Sequence, residues 1–221
     1  MSSPRFAKIV LTLWVLAAGS ASAQSGAASY GAASPQAVVA ALQKAMTSND
    51  LAASVPLIAP AGREEMAKDL IGGVLIALAM FDPDVPAIVG KPPSKTELEA
   101  QRKSYRTGLG LVRQALKPHG LDSLVGKPLT PETEPGFKAA IGAALPKTDT
   151  VVLATALLAV MDRVAPMMGM PKPDPTPIFS FRTVTDYKVD GDRATAKADS
   201  GTLEFERVQG RWYIKAPAAS K

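Results

Sequence analysis

The pattern of apolar residues changes near residue 178, and this change limits the possible folds more than any other feature of the chain. Before it, apolar residues recur at helical spacing or form unbroken apolar runs. From Ile178 to Lys215 they alternate with polar residues at a period of two, which is typical of strands with one buried face. The sequence therefore predicts an α+β fold: an amino-terminal helical region followed by a four-stranded antiparallel β-meander packed on helices through one face.

Three short sequences separate the predicted strands: Asp190-Gly191-Asp192, Asp199-Ser200-Gly201 and Gln209-Gly210. Their residue types tolerate tight turns, which favours a simple meander. The apolar face of that meander carries five aromatic residues that we take as the candidate wall of an apolar ligand pocket, with ordinary core as the alternative reading. These residues are Phe179, Phe181, Tyr187, Phe205 and Trp212.

Helix starts are marked in the first two thirds of the chain. Ser34-Pro35 is a strong start signal, and Ser94 with Glu97 matches a capping box. Two stretches of the chain, from Leu70 to Phe81 and from Val151 to Met161, are almost entirely apolar and are predicted to be buried helices. The second falls short of the roughly 20 residues that cross a bilayer, so we expect no transmembrane span in the mature chain.

The first residues are typical of a secretory signal peptide. Arg5 and Lys8 precede an apolar run from Ile9 to Ala18, and Ala21-Ser22-Ala23 provides a cleavage site after Ala23. We therefore expect a periplasmic or secreted protein. The predicted organisation is a signal peptide (1–23), a flexible leader (24–33), one α+β domain (34–216) and a loose tail (217–221); within the domain a helical part (34–170), a proline-rich spacer (171–177) and the meander (178–215) follow one another.

Composition excludes several kinds of chemistry. The chain has no cysteine, so it has no disulfide, no thiolate metal site and no cysteine nucleophile. His119 is the one histidine, and its place at a predicted helix end favours a capping or solvated role over catalysis. The formal net charge of +5 is mild and no basic stripe is interleaved with aromatic residues, so no nucleic-acid partner is expected. We nominate no catalytic residue, metal ligand or cofactor.

Three weaker candidates each have a structural explanation that we prefer. The methionines near the last helix end resemble a soft copper site, but methionine also fills irregular gaps. The aspartates between strands fit turns better than calcium spacing. A basic helix face could meet phosphate or anionic glycan but is more simply solvated. The groups are Met161, Met167, Met168 and Met170; Asp190, Asp192 and Asp199; and Arg102, Lys103, Arg106 and Arg113.

The segments SPQAVVAALQKAMTSNDLAAS and VDGDRATAKADSGTLEFERVQGRWYIK resemble exported bacterial proteins of the nuclear-transport-factor-like (cystatin-like cone) superfamily. The resemblance implies a helix lying in the concave side of a curved sheet, with the enclosed cone serving as a ligand pocket, an active site or filled core. It carries no catalytic motif. The long helical stretch from Arg63 to Met170 departs from the usual pattern, and is either an insertion or the sign of a different fold.

The leading functional hypothesis is a non-enzymatic envelope protein that binds an apolar small molecule or lipid-like ligand between helices and sheet. The two apolar helices and the aromatic sheet face motivate it. The first alternative is a structural or protein-interaction module of the envelope. The second is a cone-fold isomerase or hydratase that uses a buried carboxylate with a tyrosine such as Tyr187.

Overall fold

The computed structural model describes residues 30–84, 94–130, 132–167 and 181–215. The predicted signal peptide, the first part of the predicted leader (24–29), the proline-rich segment 171–177, Phe179 and the predicted tail lie outside these residues. Helices and a four-stranded sheet confirm the predicted α+β class. The elements in chain order are α1 (Pro35–Thr47), α2 (Leu51–Ser54), α3 (Pro60–Met80), α4 (Lys95–Leu116), α5 (Glu134–Ala144), α6 (Thr150–Met167), β1 (Val184–Asp190), β2 (Arg193–Ala198), β3 (Gly201–Val208) and β4 (Arg211–Ile214).

The two predicted helix starts are confirmed by their hydrogen bonds. The Ser34 hydroxyl accepts a bond from the Ala37 amide at 3.1 Å, with Pro35 as the first residue of α1. At the start of α4, the Ser94 amide donates to the Glu97 carboxylate at 2.7 Å and the Glu97 amide donates to the Ser94 hydroxyl at 3.3 Å, which completes the capping box.

Two prolines lie within helices. Pro60 is the first residue of α3, where a missing N–H costs nothing. Pro166 lies inside α6, which the structure describes as far as Met167. A proline inside a helix removes one backbone hydrogen bond.

The sheet is the predicted meander, with strand order β1-β2-β3-β4 and antiparallel pairing throughout. A bulge between Thr185 and Lys188 interrupts the β1–β2 register, and Asp186 within it has φ of 52°. Gly191 and Gly210 occupy the tight turns with positive φ, which glycine adopts without strain.

The buried apolar residues form two separate clusters. The first, which we call the sheet core, lies between α1, the connection after α2 and the inner face of the sheet; it includes Val38, Leu42, Ile58, Phe205 and Ile214. The second, which we call the helical core, is built mainly by α3, α4 and α6 and includes Leu70, Ile71, Val112, Leu153 and Leu157. Met66 of α3 packs against both cores.

This arrangement corrects one part of the sequence interpretation. The two apolar helices were expected to pack under the sheet, but α3 and α6 pack against each other and α4 packs on α6. The helix that covers the sheet is α1, whose buried face is Val38, Val39, Leu42 and Ala45. Both α3 and α6 contribute apolar residues to the helical core, where they bury each other without the sheet.

One helix of the described residues, α6, is long and apolar enough by length and composition alone to cross a membrane. In the structure 44% of that stretch is buried inside the protein. Its buried residues, among them Leu153, Ala154 and Leu157, belong to the helical core. These are the contacts of a core helix.

Residues 30–32 tie the start of the described chain to the last strand, although the sequence placed them in a flexible leader. Ala32 and Trp212 exchange two backbone hydrogen bonds of 2.9 and 2.8 Å, and the Gly31 amide donates to the Pro56 carbonyl at 2.9 Å. On the same strand, the Ala59 amide donates to the Ile214 carbonyl at 2.8 Å, directly before α3 begins. The first turn of α3 is thereby held beside β4.

Candidate functional site

Four of the five aromatic residues predicted as a pocket wall come together in the sheet core. Phe205 of β3 and Trp212 of β4 are buried, Phe181 is buried just before β1, and Tyr187 of β1 is half-buried against the same cluster. The fifth, Phe179, lies outside the described residues. Strand alternation brings them to one face, because residues two apart along a strand point the same way.

The centre of this face is closely packed. Leu42 and Val38 of α1 are fully buried and Phe205 is 1% exposed. The rings of Tyr187 and Phe205 lie 6.5 Å apart between centroids with an angle of 36° between their planes, within the range of favourable aromatic pairs. Burial raises the pKa of the Tyr187 hydroxyl. Between α1 and β3 the candidate wall is therefore core.

The margin of the face at β1 is different. Val189 follows the alternation of the buried face but is 57% exposed, although its directly paired neighbour Ala194 is 3% exposed. Paired residues of adjacent antiparallel strands share a face, so Val189 lies on the inner, apolar face and still reaches solvent. Tyr187 and Val184 on the same strand are half-buried. We call Val184, Tyr187 and Val189 the β1 margin.

A second constellation, which sequence reasoning missed, lies where the first turn of α3, the start of α6 and β4 meet. Arg63 is 6% exposed, and its guanidinium carbon lies 5.3 Å from the ring centroid of Tyr30 and 5.4 Å from that of Tyr213. The Tyr30 hydroxyl donates to the Asp149 carboxylate at 2.7 Å. The Tyr213 hydroxyl donates to the Tyr30 carbonyl at 3.1 Å. We call Tyr30, Arg63, Asp149 and Tyr213 the arginine cage.

Neighbouring charges and hydrogen bonds shift two pKa values in the cage. The hydrogen bond to Asp149, helped by burial and by the charge of Asp149, raises the pKa of Tyr30 to about 12. Burial acts to raise the pKa of Asp149, but hydrogen bonds from Tyr30 and the amides of Val151 and Val152, together with the charge of Arg63, outweigh it and hold that pKa below its usual range. Asp149 is therefore a carboxylate at neutral pH.

His119 lies close enough to Asp149 to feel its charge. Burial lowers the pKa of His119, and the Asp149 carboxylate opposes that shift. The imidazole is half-buried at the end of the turn Lys117–His119. Within the described ranges, its ring nitrogens have no hydrogen-bond partner.

Local sequence signals find only one member of the arginine cage. Asp149 precedes an apolar run and accepts bonds from the Val151 and Val152 amides at 2.9 and 3.3 Å, as a helix-capping residue does. Tyr30 lies 119 residues away from it along the chain. No local pattern relates Tyr30, Arg63 and Tyr213, because only the packing of three distant segments places them together.

The basic face of α4 is exposed, as a solvated face would be. Arg102 forms an ion pair of 2.6 Å with Asp84, and Arg113 donates to the Val125 carbonyl at 3.3 Å. A shallow surface concavity of about 390 Å³ lies along this face. It is lined by Glu99, Arg102, Lys103, Arg106 and Thr107.

The methionines and aspartates do not assemble metal sites within the described residues. Met161 is buried in the helical core and Met167 is 44% exposed at the end of α6, whereas Met168 and Met170 lie outside the described residues. The Asp199 carboxylate, between β2 and β3, accepts a hydrogen bond of 3.0 Å from the Arg182 amide, which lies before β1. Asp199 therefore connects the β2–β3 turn to the start of the sheet. Across the described ranges, no cluster of three or more histidine, aspartate or glutamate side chains is arranged to hold a metal ion.

No protein-family model, curated protein or solved structure matches this chain. The chemistry of its candidate sites therefore has to be inferred from their own geometry.

Proposed function

We propose that this protein is exported and non-enzymatic, and that it binds an apolar small molecule or lipid-like ligand at the β1 margin of the sheet. The observation that carries the proposal is the 57% exposure of Val189 on the apolar face of the sheet. An exposed apolar surface next to a packed aromatic core lets a ligand bury area without disturbing the core. The signal-peptide pattern before Ala23 supports export.

The surroundings of the margin support an apolar ligand over a polar one. Half-buried apolar residues from α1 and from two strands pack against the same sheet core as Val184 and Tyr187 of the margin. Apolar surface of this kind favours an apolar ligand. The half-buried residues of α1 and the two strands are Ala37, Ala41, Met46, Ala198 and Leu203.

The enzymatic alternative has less support. A cone-fold isomerase or hydratase needs a carboxylate within hydrogen-bond reach of the substrate in the cavity. Among the described residues, the buried polar side chains are Ser54 and Arg63, and neither belongs to the sheet core. Tyr187 contacts Phe205 there.

A protein partner is the second candidate, because β1 is an edge strand of the sheet. Two features oppose strand addition at that edge. The bulge between Thr185 and Lys188 disrupts the row of backbone groups, and Asp186 forms a 3.0 Å ion pair with Lys197 beside it. Bulges and charges of this kind protect edges from pairing. A small ligand on the face fits these features better than a strand on the edge.

The experiment compares binding of the neutral apolar fluorophore N-phenyl-1-naphthylamine to the wild type and to Val189→Asp. Burying a valine side chain against a ligand stabilises the complex by about 1.5–3 kcal/mol. We therefore expect Val189→Asp to have a dissociation constant at least about tenfold larger than that of the wild type. Val152→Asp is the matched control, because Val152 is similarly exposed, at 53%, but lies on α6 and not on the sheet. Equal affinity in Val189→Asp and the wild type would exclude the β1 margin.

Native mass spectrometry of the protein purified from the periplasm tests the rest of the proposal. We expect a mass that begins at Gln24 and a retained small molecule that is lost in Val189→Asp. A mass that includes residues 1–23 in the cytosolic fraction would contradict export. A retained protein subunit in place of a small molecule would favour the interaction module.

A further inference from the structure

Arg63 of the arginine cage is 6% exposed and has a buried hydrogen-bond donor that is not used. Its Nε has no hydrogen-bond partner, and no hydrogen bond or ion pair joins the guanidinium to any residue of the described ranges. Buried polar groups are almost always paired, and a guanidinium carries five donors. The rings of Tyr30 and Tyr213 make cation–π contacts with the guanidinium. These contacts do not replace hydrogen bonds to the N–H groups, which lie in the plane of the guanidinium.

The groups around Arg63 bond other donors. One Asp149 oxygen accepts the Val151 and Val152 amides, and the other accepts the Tyr30 hydroxyl. The Tyr213 hydroxyl donates to the Tyr30 carbonyl, which also accepts from Arg211. Among the described residues, neither the Asp149 carboxylate nor the Tyr30 carbonyl accepts a hydrogen bond from the Arg63 Nε.

Arg63 lies close enough to the Asp149 carboxylate to lower its pKa. The amino terminus of α3 is also close, since Arg63 lies in its first turn. No side chain caps that helix, whose N-cap residue is Ala59. An uncapped helix start adds further positive potential.

We infer that the arginine cage binds the carboxylate group of a small molecule through Arg63. A planar carboxylate matches the fork of a guanidinium and would satisfy the donors that the chain leaves unused. Tyr30, which is half-buried, and Asp149, which is exposed, border the guanidinium. This site uses the Tyr213 face of β4, opposite Trp212, and is therefore independent of the β1 margin.

The test is saturation-transfer difference NMR with sodium acetate, in sodium chloride at constant ionic strength. We expect a saturable acetate signal in the wild type and its loss in Arg63→Met. Arg106→Met is the matched control, since Arg106 is an exposed arginine of α4 and lies outside the cage. We expect that variant to keep the signal. Equal signals in Arg63→Met and the wild type would overturn the inference.

A second measurement protects the test against an unfolded variant. Acetate at a tenfold excess over its dissociation constant should raise the melting temperature of the wild type by about 3–6 °C over equal chloride. Arg63→Lys keeps the positive charge but loses the planar fork, and at the same acetate concentration it should show less than half of that shift. A wild type that responds equally to acetate and chloride would refute the site without any variant.

Discussion

Replacing Gly31 by alanine should destabilise the protein more than any other glycine-to-alanine change at a described turn. Gly31 has φ of +74°, where an L-residue is strained. A Cβ there would lie 2.7 Å from two ring carbons of Tyr213 and 2.8 Å from the Trp212 carbonyl oxygen. The backbone oxygen cannot move aside, because its strand is paired with Ala32.

The magnitude follows from two terms. The left-handed conformation costs about 1–2 kcal/mol for alanine. Overpacking against a fixed neighbour costs about 1–3 kcal/mol more, so we expect Gly31→Ala to lower the free energy of unfolding by about 2–5 kcal/mol. Gly120→Ala is the matched control: Gly120 has φ of +70° and nothing within 4 Å of the added Cβ. Only the conformational term applies to it, so its loss should be about 1–2 kcal/mol.

The assay is equilibrium unfolding in urea, followed by far-ultraviolet circular dichroism and by tryptophan fluorescence. The two probes should report one transition if residues 30–32 join the two cores into one cooperative unit. A Gly31→Ala variant no less stable than Gly120→Ala would refute the close contact between Gly31, Tyr213 and β4. It would also remove the structural basis of the arginine cage.

Two further predictions concern hydrogen bonds that carry charge or cap a helix. The lowered pKa of Asp149 stabilises the fold above the pKa of the unfolded chain, near 4, and this stability is lost as the pH falls through the lower folded value. Tyr30→Phe removes a hydrogen bond to that carboxylate, so the pKa of Asp149, measured by NMR, should rise. The free energy of unfolding, measured by urea titration, should then fall less as the pH is lowered. An unchanged pKa of Asp149 would contradict the 2.7 Å hydrogen bond. Ser94→Ala should cost about 1 kcal/mol by breaking the capping box and should raise the pKa of Glu97, which the hydrogen bonds from Ser94 lower, whereas the neighbouring Thr96→Ala should do neither.

Much of the local structure could be predicted from the sequence because short-range interactions decide it. A helix start depends on hydrogen bonds within about four residues, as at Ser34 and Ser94. A turn such as Asp190-Gly191-Asp192 depends on the backbone freedom of its own residues. The period-two pattern then predicts which side chains share a sheet face, and it brought Phe205, Trp212 and Tyr187 to one core.

The extent of burial along that face could not be predicted in the same way. Val189 has the alternation of a core residue, yet it is 57% exposed. The bulge after Thr185 also shifts the pairing register between β1 and β2, and no single residue in the sequence predicts it.

By itself the sequence determined the class of fold, the helix and turn signals, the four-stranded meander and the chemistries that a cysteine-free chain lacks. Only the tertiary structure decided that the apolar helices bury one another, that α1 alone among the long helices covers the sheet, and that Tyr30, Arg63 and Asp149 meet. Apolar patterning specifies that a surface must leave water but not which surface will cover it, because the hydrophobic effect has no direction. The choice of partner depends on shape and on chain connections, which exist only once the segments have packed.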